Sequence, residues 1–288
     1  MRTHETIAGL RADLEQARRD GRTIGLVPTM GYLHDGHLSL IERAAAECND
    51  VVTTIFVNPL QFAAGEDLGA YPRDPEGDAA KARAAGAWWL FTPSLEEMYP
   101  EPVLTSVSVA EVSATMEGAS RPTHFAGVAT VVAKLFAIVG PCHAYFGEKD
   151  YQQVAVVRRM AADLSFPVEV VGCPIVREPD GLAMSSRNVY LTPEQRDAAP
   201  VLRRALDAGA ALARGGAASP GDVRAAILRV LEGEPLVEVD YVEVADPSSL
   251  EPLDAIGLEA RLFVAAQVGR ARLIDNISTL EPPFEAAS

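Results

Sequence analysis

The sequence predicts an α/β fold: a doubly wound, Rossmann-like parallel sheet followed by a smaller α+β C-terminal domain. Three observations carry this. Strand-like and helix-like segments alternate from residue 23 to residue 171. The strand-like runs, best seen at residues 51–57, lack the apolar–polar alternation of a half-exposed strand and read as strands covered on both faces. After about Ile175 the rhythm changes to long helices and then three strand-like runs. A chain of 288 residues is also about the size at which one core divides into two, so domains are expected at 1–174 and 175–288, with Cys173-Pro174 at the boundary.

The elements follow in order. Ile7, Leu10, Leu14 and Ala17 share a helical face, and Gly21 separates them from a strand at residues 23–27. A polar turn after Pro28 leads to Leu38, Ile41, Ala45 and Cys48 on a second helical face, and then to the strand at 51–57. A helix near 78–85 and a strand near 88–91 come next. Val128, Val131, Leu135 and Val139 mark a strong helix, followed by a strand near 142–146. Val154, Val157, Ala161 and Leu164 mark another helix, and a strand near 168–171 completes the first domain. In the second domain, helices are expected over 193–213 and 221–231, separated by the loop 215–220, with strands over 237–244, 261–268 and 271–274.

Composition narrows the function. With 25 basic against 40 acidic residues the net charge is −15, the wrong sign for gripping a nucleic-acid backbone. The three cysteines, Cys48, Cys142 and Cys173, form no C-x-x-C pair, which fits a reducing cytoplasm better than a zinc or disulfide framework. The longest apolar stretch, residues 128–139, contains Lys134 and falls short of the ~18 residues of a membrane span. The N-terminus shows no apolar signal region. A soluble, untargeted, cytoplasmic protein without nucleic-acid or membrane partners is expected.

Three clusters can carry chemistry. The first strand runs into Pro28-Thr29-Met30-Gly31-Tyr32-Leu33-His34-Asp35-Gly36-His37, where a loop becomes a helix. Such a turn offers backbone N–H groups and the positive end of a helix dipole to an anion, and imidazole nitrogens can donate to phosphate oxygens. A metal reading of His34 and His37 is the alternative. Metal-binding helices usually space histidines four apart, and no third ligand lies nearby in sequence, so position favours phosphate. The second cluster, Gly147-Glu148-Lys149-Asp150, sits at another strand-to-helix turn and places an ammonium there. The third, residues 180–188, opens with the turn dipeptide Asp180-Gly181 and gathers Ser185, Ser186 and Arg187. Asn58, Gln61 and Gln153 supply fixed amides of the kind that a small hydroxy acid needs. No G-x-S-x-G elbow, Cys–His neighbour pair or Walker A loop is present, so covalent catalysis is unsupported.

Together these segments resemble the pantoate–β-alanine ligases, the pantothenate synthetase family of the HIGH-type nucleotidylyltransferase superfamily. The matching stretches are residues 28–37, 57–62, Tyr71-Pro72-Arg73, His124-Phe125 with Gly127-Val128, 130–136, 146–153 and 180–191, covering most of 24–191 in order. The H-x-G-H signature falls on His34, Gly36 and His37, and the counterpart of K-M-S-K-S on Met184, Ser185, Ser186 and Arg187. The resemblance implies ATP with Mg²⁺. Pantoate would become an enzyme-bound pantoyl adenylate with loss of pyrophosphate, and the amine of β-alanine would then attack it, giving pantothenate and AMP.

Residue by residue, the resemblance implies that Met30, Gly31, Tyr32, Leu33, His34, Asp35, Gly36 and His37 bind the nucleotide, with Gly147, Glu148, Lys149, Asp150, Val176, Met184, Ser185, Ser186 and Arg187. His37, His34, Lys149, Arg187, Ser185 and Ser186 would carry the catalysis, with His37 as proton donor. Gln61 and Gln153 would hold pantoate, Gln61 would also meet β-alanine, Met30 would line pantoate's methyl groups, and Asn58, Tyr71 and Arg121 would shape the neighbouring site. Asp78 would contact the metal. A C-terminal lid domain and a homodimer are also implied. Departures are Asp35 where glutamate is common, Asp74 where a hydroxyl residue often follows Y-P-R, and the bulky pair Trp88-Trp89. Two other readings share parts of the pattern: an adenylyltransferase that leaves AMP on its product, and a noncatalytic nucleotide sensor.

Overall fold

The computed structural model describes residues 1–63, 65–66 and 68–284. The chain divides into two compact units, Met1–Glu148 with Gln152–Pro174, and Lys149–Tyr151 with Ile175–Ser288. The first holds a six-stranded sheet in the order β1-β4-β3-β2-β5-β6, and every adjacent pair is parallel. Its strands are β1 Arg2–His4, β2 Ile24–Thr29, β3 Asp50–Ile55, β4 Trp89–Phe91, β5 Cys142–Gly147 and β6 Val168–Cys173. The chain winds outward from β2 through β3 to β4, then returns to place β5 on the other side of β2. The carboxyl ends of β2 and β5 therefore flank the point where the winding reverses, which is where such sheets bind ligands.

The helices of this unit are α1 Ile7–Arg19, α2 Asp35–Glu47, α3 Pro75–Ala84, the short α4 Leu95–Met98 and α5 Glu117–Ser120, α6 His124–Val139 and α7 Tyr151–Asp163, whose first residue falls in the second unit. Apolar spacing forms them. Leu10, Leu14 and Ala17 of α1 and nearly every face of α6 enter one core against Leu26, Val52 and Phe91. Leu40, Ile41 and Ala44 of α2 enter a second core with Val27, Leu90 and Tyr145 across the sheet. Apolar cover on both faces explains why β2 and β3 lack alternation. Trp89 is core, whereas half of Trp88 is exposed beneath the Arg22 guanidinium.

The second unit packs α8 Pro193–Ala198, α9 Val201–Arg214 and α10 Pro220–Leu231 on an antiparallel sheet of β7 Val237–Ala245, β8 Arg261–Val268 and β9 Ala271–Ser278. Two expectations need correction here. The single helix expected over 193–213 is two, because Pro200 has no N–H to give and its ring crowds the preceding turn. The last strand continues four residues beyond Ile274, because ladder pairing with β8 does not require an apolar side chain. No helix among the described residues is long and apolar enough to cross a membrane.

Candidate active site

The turn after β2 is held almost entirely by the protein itself. Thr29 Oγ1 donates to the Thr54 carbonyl (2.6 Å) and accepts from Gly31 N–H (3.2 Å). Gly31 and Tyr32 both lie in the left-handed region (φ 87° and 52°), a conformation that glycine tolerates and tyrosine adopts only under constraint. The constraint is Asp78 on α3, only 1% exposed. Its Oδ2 accepts from Tyr32 N–H and its Oδ1 from Leu33 N–H, each at 2.7 Å, while Lys81 Nζ donates to the Leu33 carbonyl at 2.8 Å. Both carboxylate oxygens thus hold the main chain of the turn.

This arrangement bears on two expectations. Asp78 acts as a clamp on the turn, a role the resemblance did not imply beside its metal contact. The N–H groups of Gly31, Tyr32 and Leu33 are also committed to Thr29 and Asp78, so an anion here would be served by the first turn of α2 and by side chains. Asp74, the departure after Y-P-R, caps α3 by accepting from Gly77 N–H (3.1 Å), as a hydroxyl would.

His34 is the N-cap of α2, and the imidazoles of His34 and His37 lie with centroids 4.1 Å apart. His34 N–H donates to His37 Nδ1 over 3.4 Å. An accepting Nδ1 places the proton of neutral His37 on Nε2, the nitrogen remote from the main chain, where it can donate.

The amide cluster is built around Asn58, 1% exposed. Its Nδ2 donates to Gln61 Oε1 (3.2 Å) and to the Gly127 carbonyl (3.1 Å), while its Oδ1 accepts from Leu60 N–H (3.3 Å) and Tyr99 O–H (3.0 Å). Asn58 therefore orients and has no polar atom left over for a ligand. With its oxygen held, Gln61 turns Nε2 toward Met30 Sδ at 3.2 Å, beside the turn after β2. The Gln61 carbonyl is pinned by Arg121 (3.3 Å) and His124 Nδ1 (3.0 Å). Arg121 also pairs bidentately with Glu66 (2.9 and 2.7 Å), and those bonds hold the Glu66 carboxyl below the usual range. Gly127 admits this packing, since a Cβ there would collide with the Leu60 carbonyl. Tyr71 is buried edge-on against Phe62.

Of the adjacent glutamines, Gln152 is structural: it donates to the Val112 (2.9 Å) and Thr115 (2.8 Å) carbonyls and accepts from Glu117 N–H (3.1 Å). Gln153 is half-buried, one position farther around α7.

Within the second unit, residues 176–184 form a tight hairpin: Met184 N–H donates to the Val176 carbonyl (3.0 Å), Arg177 bridges to Ala183, and the turn runs through Asp180 and left-handed Gly181 (φ 92°). Ser185 Oγ accepts from Arg187 N–H (3.2 Å), and Ser186 is buried at the start of the following 3-10 turn. The Lys149 side chain is 20% exposed, with its ammonium 3.9 Å from the Asp150 carboxylate. The expected nucleotide set thus divides by compact unit, Met30 to Glu148 in the first and Lys149, Asp150, Val176 and Met184 to Arg187 in the second.

A model of the family described as Pantoate-beta-alanine ligase matches residues 2–278. The chain belongs to the pantoate–β-alanine ligase family. It is 52% identical to pantothenate synthetase of Heliobacterium modesticaldum over 277 residues, covering 96% of this chain and 99% of that protein. The crystal structure of pantothenate synthetase from Thermus thermophilus matches with a TM-score of 0.92 at 54% identity, over 97% of this chain and 99% of that one. The Francisella tularensis pantoate-beta-alanine ligase, complexed with beta-gamma ATP and beta-alanine, matches with a TM-score of 0.81 at 31% identity, over 99% of this chain and all (100%) of the other. Like the rest of the pantoate–β-alanine ligase family, this chain is a ligase of pantothenate biosynthesis that uses ATP. The doubly wound sheet with a small antiparallel second sheet is the fold of those pantothenate synthetases.

Sequence reasoning did not foresee the main-chain role of Asp78, nor Tyr99 and Gly127 as the partners that fix Asn58. Asp78 carried a signal, an acid in the first turn of a helix after Y-P-R, but the partners that define its role are 45 and 46 residues away.

Proposed function

We propose that this enzyme makes pantothenate in two steps on one set of side chains. The pantoate carboxylate attacks the α-phosphorus of ATP, the bond to the β-phosphate oxygen breaks, and pyrophosphate leaves pantoyl adenylate. The neutral amine of β-alanine then attacks the acyl carbon, AMP departs and pantothenate is formed. The observation that supports this reading best is the Gln61 amide, fixed by Asn58 and presented beside Met30 and the His34–His37 turn. It puts a small-molecule donor next to a phosphate-type turn, a combination that neither a nucleotide sensor nor a plain nucleotide site needs.

In this reading His37 Nε2–H donates to a phosphate oxygen as charge develops on pyrophosphate, with His34 and the positive end of α2 beside it. Lys149, Arg187, Ser185 and Ser186 of the second unit are cationic and hydroxyl donors suited to nucleotide phosphates. Gln61 and Gln153 hold pantoate, Met30 packs against its methyl groups, Gln61 also meets β-alanine, and Tyr71 closes the apolar side. Asn58 and Arg121 act on Gln61. Residues 1–174 form the nucleotide and pantoate domain and 175–288 a lid domain. Mg²⁺ would accompany the nucleotide and neutralise phosphate charge, with Asp78 the residue that the resemblance puts near it. A cytoplasmic homodimer completes the proposal, and three buried free cysteines agree with a reducing compartment.

Incubation with ATP, Mg²⁺ and pantoate, with and without β-alanine, followed by mass, tests the route. Pantoyl adenylate and pyrophosphate are expected without β-alanine, and free AMP with pantothenate only when both acids are present. AMP retained on a final product would instead support the adenylyltransferase reading. In His37→Ala, pyrophosphate release should fall by about 10²–10³ with the fold intact, and a near-normal rate would remove His37 from the mechanism.

A further inference from the structure

Two successive residues of β9, Asp275 and Asn276, are 3% and 2% exposed, an unusual place for two polar side chains in a strand. Their partners account for the burial. Asp275 receives the Arg177 guanidinium bidentately, at 2.6 and 2.9 Å, and the same guanidinium donates to the Gly181 carbonyl at 3.1 Å. That ties the hairpin preceding Ser185 and Arg187 to the sheet. Asn276 Nδ2 donates to the Lys149 carbonyl at 2.9 Å, and its Oδ1 accepts from Arg261 Nε at 2.7 Å. The Arg261 guanidinium in turn lies 4.1 Å over the Tyr151 ring, whose hydroxyl donates to the Pro247 carbonyl at 3.0 Å. Residues 149–151 are thereby held at the main chain of Lys149 and at both faces of Tyr151's polarity, ring and hydroxyl.

We propose that Asp275 and Asn276 are positioning residues for adenylate formation. Asn276 fixes the main chain from which the Lys149 ammonium extends, and Asp275 fixes, through Arg177, the hairpin that leads to Ser185 and Arg187. This rests on the reading of Lys149 as a phosphate contact. Adjacent strand residues face opposite sides of a sheet, so one dipeptide can secure two segments far apart in sequence. Geometry of this kind matters because a displacement of about 1 Å in a charge that meets the transition state can cost on the order of 100-fold in rate.

Asn276→Asp is the informative variant. It keeps an acceptor for Arg261 but turns an oxygen on the Lys149 carbonyl in place of the donor, so one buried hydrogen bond is lost and the Arg261 contact is kept. Pyrophosphate release with ATP and pantoate, read well below the melting transition that the lost hydrogen bond lowers, should fall roughly 10- to 100-fold in kcat with a smaller change in KM for pantoate. Amide hydrogen exchange should quicken in the peptide spanning residues 147–152 and stay unchanged in β8. In a Lys149→Ala background the same substitution should add no further loss, because both act through one ammonium. A wild-type kcat for Asn276→Asp beside an impaired Lys149→Ala overturns the inference alone, as do losses that multiply in the double variant. A Lys149→Ala enzyme with its full rate overturns the reading of Lys149 and the inference together.

Discussion

Replacing Asp78 by asparagine separates a clamp from a metal ligand. The carboxylate accepts two main-chain N–H groups at 2.7 Å from a site that is 1% exposed. Hydrogen bonds to a charged acceptor contribute about 1.5–3 kcal/mol each, and a buried donor left without a partner costs about 1–3 kcal/mol. Asparagine keeps one acceptor and points its NH₂ group at the other N–H, so one bond is lost and one buried donor stranded. Tyr32 must also stay left-handed (φ 52°) without its former support. Taken together, a loss of roughly 2–4 kcal/mol in unfolding free energy is expected, read from urea denaturation in Mg²⁺-free buffer. Pyrophosphate release should fall with it. A variant as stable as the parent, with only its Mg²⁺ midpoint raised, would refute the clamp and leave the metal contact.

Gly127→Ala forces a methyl against the Leu60 carbonyl, so the turn carrying Gln61 must move; a cost of about 1–3 kcal/mol and a raised KM for pantoate are expected from denaturation and initial rates. Glu66 titrates below its ordinary 4.5, chiefly because Arg121 donates to it, so the stability it confers is complete above that value and disappears as pH falls through its lower folded value. Glu66→Gln should therefore flatten the fall in stability with acidification, and an unchanged slope would show that the pair contributes nothing. Burial pushes the Cys142 thiol up to about 12 and raises Cys48 and Cys173 as well, so a thiol reagent at mildly alkaline pH should label none of them in the folded enzyme and all in denaturant. Rapid labelling of the folded protein would contradict that burial.

Much of this was legible in the sequence because local chemistry dictated it. The unalternating strands reported cover on both faces, and the turns at Pro28 and Asp180-Gly181 reported their own shape. What was hidden depended on partners distant along the chain. Asn58 reads as a ligand contact or a turn residue until Tyr99 and Gly127 are seen to absorb its oxygen and nitrogen. Arg121 reads as shaping the site beside Gln61, and its partner Glu66 lies 55 residues away in sequence. The end of β9 was missed for a related reason: periodicity detects apolar faces, and Asp275 and Asn276 are buried by satisfaction of their polar atoms instead.

The placement of residues 149–151 bears on how this enzyme can be taken apart or recombined. Severing the chain after Pro174 would leave a C-terminal fragment whose Arg261 and Asn276 have lost Tyr151 and Lys149, two internal guests supplied by the other piece. A chimera joined at that seam would carry the tripeptide of one parent and the receptor strand of another. Exchange of halves between relatives should therefore succeed only when those three residues travel with β8 and β9, because the structural unit they complete is discontinuous along the polypeptide.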